Sequence, residues 1–122
     1  MLPIWDRPRR SQLPFCSVGY GLQKAFPDAA AWKDVAIRQR MVAHPYLLQI
    51  NTGFTDDYSL LLSNNARSGG TCFGDSGGPT FIGNTNVIAG VTSYALNPTC
   101  AGTGGVYRVD RAGDLEWIAT FL

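Results

Sequence analysis

Residues 74–79 read Gly-Asp-Ser-Gly-Gly-Pro, a serine set between glycines with an acidic residue before it and a proline after. A serine hydroxyl is a poor nucleophile near neutral pH. To attack a carbonyl it needs a base, a group that orients the base, and N–H donors aimed at the developing oxyanion. Glycines at 74, 77 and 78 permit a tight turn and close approach of a substrate. The chain has one histidine, His44, within Met41-Val42-Ala43-His44-Pro45. It is the single imidazole that could serve as base, yet beside a proline at a strand end it reads as an ordinary surface residue. Asp56-Asp57 precede an apolar segment and read as turn residues rather than as the orienting acid.

The elements that must position Ser76 read as strands. Short apolar segments run over Cys16–Gly21, Asp34–Met41, Tyr46–Ile50, Tyr58–Ser63, Pro79–Ile82, Val87–Tyr94 and Val106–Val109. Val, Ile, Thr and Tyr recur in them, and Gly- and Asn-rich turns separate them, the pattern of an antiparallel barrel or sandwich. Ala29–Trp32 could open a short helix. Near the end Asp110 can cap a helix. Ala112, Leu115, Ile118, Ala119 and Leu122 then share one helical face, which is read as core.

Composition bounds the rest. The 122 residues hold one small domain. With 45% hydrophobic and 16% charged residues the chain is globular rather than disordered. A net charge of +1 points to no nucleic acid or acidic partner, and Arg7-Pro8-Arg9-Arg10 reads as a solvated linker. No apolar run reaches transmembrane length, and Met1–Trp5 lacks the charged and apolar regions of a signal peptide.

Thr71-Cys72-Phe73-Gly74-Asp75-Ser76-Gly77-Gly78-Pro79 resembles the nucleophile loop of the chymotrypsin/trypsin-like serine proteases. Ser93-Tyr94 resembles that family's substrate-binding strand, Gly105-Val106-Tyr107 the strand behind its specificity pocket, and Gly19-Tyr20-Gly21 its Gly-Trp-Gly strand. Leu2-Pro3 resembles the start of the crossing between the two barrels. The resemblance runs from about Pro14 to Leu122 and covers the family's second barrel. It implies a six-stranded antiparallel Greek-key β-barrel with a C-terminal helix over 14–122, preceded by an inter-barrel connector over 1–13. The family's first barrel, with its catalytic His and Asp, has no counterpart in this sequence.

The resemblance also implies roles. Ser76 is the nucleophile of an endopeptidase working through an acyl-enzyme, and the N–H groups of Gly74 and Ser76 form the oxyanion hole. Asp75 pairs with an ammonium freed by activation cleavage. Lacking that ammonium, Asp75 is expected to turn to water and its loops to be zymogen-like. Gly70 forms the base of the specificity pocket, with Thr71, Phe73, Ser93, Tyr94 and Ala95 around it and Gly105 leaving space at the rear. Without a charge at Gly70, a medium or large apolar side chain is expected there. Cys72 and Cys100 are expected to pair, implying an oxidising, secreted or periplasmic setting. Cys16 is then a buried structural thiol or has its partner outside the chain. No cofactor or metal is implied. The expected partners are a protein or peptide substrate and a first barrel, with neither nucleic acid nor membrane. Alone, the chain is expected to be inactive. Two other readings stand beside this one: a non-catalytic protease-homologue module for binding or scaffolding, and a single-barrel hydrolase using His44 or a second subunit's base.

Overall fold

The structure, a computed structural model, describes residues 13–23 and 39–122. The expected helix at 29–32, the basic cluster at 7–10 and nearly all of the connector lie outside those residues. Seven strands follow in order: β1 (Phe15–Gly19), β2 (Met41–Ala43), β3 (Leu47–Ile50), β4 (Ser59–Asn64), β5 (Pro79–Ile82), β6 (Ile88–Ala95) and β7 (Gly102–Arg108). One helix, α1 (Ala112–Ala119), comes after them. All the strands join one antiparallel sheet in the order β2-β1-β5-β6-β7-β4-β3.

The two end strands of that order, β2 and β3, are separated in sequence only by His44, Pro45 and Tyr46. β2 pairs with β1, and β3 pairs with β4. Between them the Phe15 N–H donates to the Pro45 carbonyl (2.8 Å) and the Leu47 N–H to the Leu13 carbonyl (3.0 Å). The sheet therefore curls until its two ends share one run of chain. Seven strands stand where six were expected because Pro45 has no N–H to give to a ladder, which splits that run in two.

Period-two alternation sets the core. In β1, Phe15 and Ser17 are buried while their neighbours are half-exposed. Phe15 packs in one cluster with Leu13, Leu47, Ile50, Leu60, Leu62, Ala89 and Val106. β4 is buried along nearly its whole length, as its unbroken Leu60-Leu61-Leu62 run requires. Two buried hydroxyls in this layer satisfy each other: those of Ser17 and Thr80 share a hydrogen bond of 2.9 Å across β1 and β5.

α1 departs from expectation. Asp110 does not cap it; Arg111 takes that position without a side-chain bond. Asp110 is occupied by the buried Arg108, which donates from Nε (2.9 Å) and Nη2 (2.7 Å) to its two oxygens and from Nη1 (2.7 Å) to Asn51 Oδ1. The hydrogen bond to Asp110 raises the Arg108 pKa against the opposing effect of burial. A fixed guanidinium is a stronger claimant on a carboxylate than a helix N-terminus. Nor is the apolar face of α1 core: no residue of the helix is buried, and Leu115 is half-exposed.

Candidate functional site

Ser76 lies near the end of an irregular loop between β4 and β5, fixed on both sides by backbone bonds. The Gly77 N–H donates to the Thr92 carbonyl and the Thr92 N–H to the Gly78 carbonyl, both at 2.9 Å, stitching the loop to β6. On the other side the Leu22 N–H donates to the Phe73 carbonyl (2.9 Å). Gly74 has a φ of 94°, the left-handed region that favours glycine, and a Cβ there would come within 3.1 Å of Gly21 Cα. Ser76 is exposed. Its N–H and that of Gly74 have no acceptor among the described residues.

Asp75 does not turn to water. Its Oδ1 accepts from the Gly21 N–H (2.8 Å) and its Oδ2 from the Cys72 N–H (2.9 Å). The expectation of an outward carboxylate rested on the cost of burying one without a partner. Here two amides take the partner's place and the group is only half-buried. No cation pairs with it among the described residues. The cradle needs glycine, since a Cβ at Gly21 would lie 2.6 Å from Asp75 Cγ and one at Gly19 would overlap Asp75 Oδ1. Gly19→Ala should expel the carboxylate and orphan both N–H groups, costing roughly 2–4 kcal/mol. Urea unfolding measures this, and a stability within experimental error of wild type would contradict the cradle.

A cavity of about 60 Å³ opens beside Ser76, lined by Thr71, Phe73, Thr92, Ser93, Tyr94 and Ala95 with Cys72 behind them. Its wall is shaped by a bulge in β6. Thr92 pairs with Val106, but Tyr94 pairs with Gly105, so Ser93 is the extra residue. A bulge re-aims the side chains after it. The Tyr94 ring lies directly over Gly105, where any Cβ would overlap it, and its hydroxyl shares a 3.2 Å hydrogen bond with Ser59. The space expected at the rear of the pocket is filled by that ring.

A larger open cleft of about 620 Å³ runs along the other side of the loop. Asp75, Gly19, Gly70 and Thr71 line it. Gly70 thus lines this cleft and not the Ser76 cavity, and a Cβ on it would strike Asn64. Asn64 is held by a 2.9 Å bond from Nδ2 to the Thr71 carbonyl. An acidic side chain at 70 needs Asn64 to move first.

Cys72 and Cys100 form a disulfide, with Cα atoms 5.4 Å apart. Cys16 is free and half-buried, opposite Phe81 in the register of β1 and β5. His44 is exposed and lines neither cavity; its backbone N–H donates to the Ser68 carbonyl. Asp57 pairs with Arg111 at 3.1 Å on the surface. No group of metal-ligating residues occurs among the described residues.

The family model for trypsin matches residues 5–115. This chain belongs to the trypsin family. Two solved structures share the trypsin-family fold with it, a double mutant and a single mutant of human heparin binding protein (CAP37). Each is 21% identical, covers 98% of this chain and superposes with a TM-score of 0.69. The chain spans 47% and 48% of their lengths, about half of each. No curated protein matches it.

Sequence reasoning named Ser76 and five of the residues around its cavity. It missed Thr92 and the cradle amides of Gly21 and Cys72. Gly19-Tyr20-Gly21 carried the signal for the cradle, since two glycines flanking one residue mark close approach of something. Nothing in Val91-Thr92-Ser93 marked the bulge.

Proposed function

We propose that this chain is the nucleophile-bearing half of a trypsin-family serine endopeptidase, cleaving peptide bonds through an acyl-enzyme on Ser76. The observation that carries the reading is the loop itself: an exposed serine at the mouth of a cavity, with two N–H groups unspent beside it. In this reading the Ser76 Oγ attacks the scissile carbonyl, and the Gly74 and Ser76 N–H groups receive the oxyanion. Asp75, already drawn inward, takes an ammonium as third partner. Base and orienting acid come from an N-terminal half, in line with a chain about half as long as its solved relatives. Residues 1–13 are the connector to that half, and 41–50 act as one bent strand of a six-stranded Greek-key barrel. The disulfide supports an oxidising compartment, secreted or periplasmic. No helix among the described residues is long and apolar enough to cross a membrane.

The test supplies the missing half. The chain joined behind, or co-expressed with, a first barrel carrying His and Asp should hydrolyse peptide substrates. That activity should vanish in Ser76→Ala. A well-folded assembly without Ser76-dependent hydrolysis would overturn the proposal. It would favour the second reading, a non-catalytic binding or scaffold module, which rests on the single histidine being exposed and lining neither cavity.

A further inference from the structure

One peptide unit of the nucleophile loop is gripped from both edges. Asn64, the last residue of β4, is half-buried and stands opposite Gly102 of β7 in the ladder. Its Nδ2 donates to the Thr71 carbonyl at 2.9 Å. The N–H of that same peptide belongs to Cys72 and donates to Asp75 Oδ2, also at 2.9 Å. In a trans peptide the two groups point in opposite directions, so Asn64 and Asp75 hold the plane between them. Thr71 and Cys72 line both the cavity beside Ser76 and the cleft on the other side of the loop.

The grip passes along the chain. Asp75 Oδ1 accepts from the Gly21 N–H, the Asp75 N–H donates to the Cys72 carbonyl (3.1 Å), and the Asp75 carbonyl accepts from the Gly78 N–H (2.9 Å). Asp75 sits between Gly74 and Ser76, so the backbone that carries their N–H groups turns with it. The disulfide fixes where Cys72 stands. It leaves the peptide before Cys72 free to turn by counter-rotation about the single bonds that flank it. Such a turn would point the Cys72 N–H away from Asp75. The Asn64 bond opposes it, from a strand that is buried along nearly its whole length.

We propose that Asn64 is a positioning residue for the nucleophile loop: by holding the Thr71 carbonyl it fixes the rotation of the Thr71–Cys72 peptide, keeps the Cys72 N–H on Asp75, and so keeps the Gly74 and Ser76 N–H groups placed to receive an oxyanion. The inference rests on the reading of Ser76 as nucleophile. Donors that stabilise a transition state need supporting bonds of their own to stay within a fraction of an ångström of the working geometry. Hydrogen bonds at the two ends of one peptide also polarise each other, so the Asn64 bond strengthens the one to Asp75.

Hydrogen exchange on the ¹⁵N-labelled chain tests this without turnover. Asn64→Asp keeps the shape and loses the donor; Asn64→Ala loses both. In each variant the Cys72 and Gly21 amides should exchange roughly five- to tenfold faster, the net worth of one hydrogen bond. The Cys72 amide proton should also move upfield as its peptide loses polarisation from the carbonyl side. The Thr92 and Phe15 amides, bonded to Gly78 and Pro45, should be unchanged. Residual hydrolysis of an activated ester, supplied by the Gly74 and Ser76 N–H groups, should fall about tenfold, less than the loss on the order of a hundredfold from deleting a donor outright. Equal acceleration at all four amides, or no change at Cys72 and Gly21, overturns the proposal, as does an ester rate that both variants leave intact. A native chain with no residual rate overturns instead the reading of the loop as an oxyanion site, and the exchange pattern still decides whether Asn64 positions the Cys72 amide.

Discussion

The 122-residue chain alone should react with a fluorophosphonate probe at Ser76 no faster than an ordinary surface serine. Complete triads act as a unit, and losing one member costs nearly as much as losing all, on the order of a million-fold in turnover. The only histidine in the sequence is His44, and it is exposed and outside both cavities. The chain's one imidazole is therefore not placed to take the Ser76 proton. What remains is electrostatic. With the Gly74 turn already in its left-handed conformation, an activated ester should show a residual rate of roughly a thousand-fold over water, supplied by the oxyanion donors and therefore retained in Ser76→Ala. Gel labelling against Ser76→Ala reads the first effect, and ester hydrolysis reads the second. Rapid labelling that His44→Ala abolished would reinstate the single-barrel hydrolase reading.

Replacing both Cys72 and Cys100 with serine should lower stability by roughly 3–4 kcal/mol in the chain-entropy picture of a loop this size. The two cysteines are 28 residues apart in sequence. For a domain of this length that corresponds to a fall in Tm on the order of 10–20 °C. The consequence for the site is as large as that for the fold. Cys72 gives its N–H to Asp75 and precedes the Gly74 turn, while Cys100 is buried in the loop between β6 and β7. Without the bridge, the wall shared by the two cavities loses its brace. Calorimetry measures the first effect, and exchange of the Gly21 amide the second. A variant melting within a few degrees of wild type would mean the loop is held mainly by its bonds to Thr92.

Strand positions were legible because the apolar runs were short and punctuated by glycine and asparagine: β5 fell on Pro79–Ile82 as expected, and β3, β4 and β6 within two residues. The nucleophile loop was legible because its glycines are demanded by local backbone geometry. What could not be read arises from contacts between distant segments. Asp75 turns inward because Gly21, 54 residues away, offers an amide. The pocket is small because one extra residue in β6 turns Tyr94 onto Gly105 of a different strand. Asp110 was misassigned because a local cap signal lost to Arg108, whose burial no local pattern announces. The face of α1 has helical spacing, but spacing does not say whether anything lies opposite it.

The strand order has a consequence for how the chain comes into being. β1 with β2, and β3 with β4, can pair as soon as the first half of the chain exists. The β5-β6-β7 meander is made last and must enter between them, with β5 against β1 and β7 against β4. Neither early pair can bury its apolar side fully until that insertion happens, so most stabilising contacts join residues far apart in sequence. Such topologies fold in milliseconds to seconds rather than microseconds. During synthesis the waiting strands keep open edges that invite misassembly. Ser76 lies three residues before β5, so its loop is set by the same late event. A ribosome-bound chain stopped before Arg108 has its serine but not its site, which ties the ordering of the nucleophile loop to completion of the sheet.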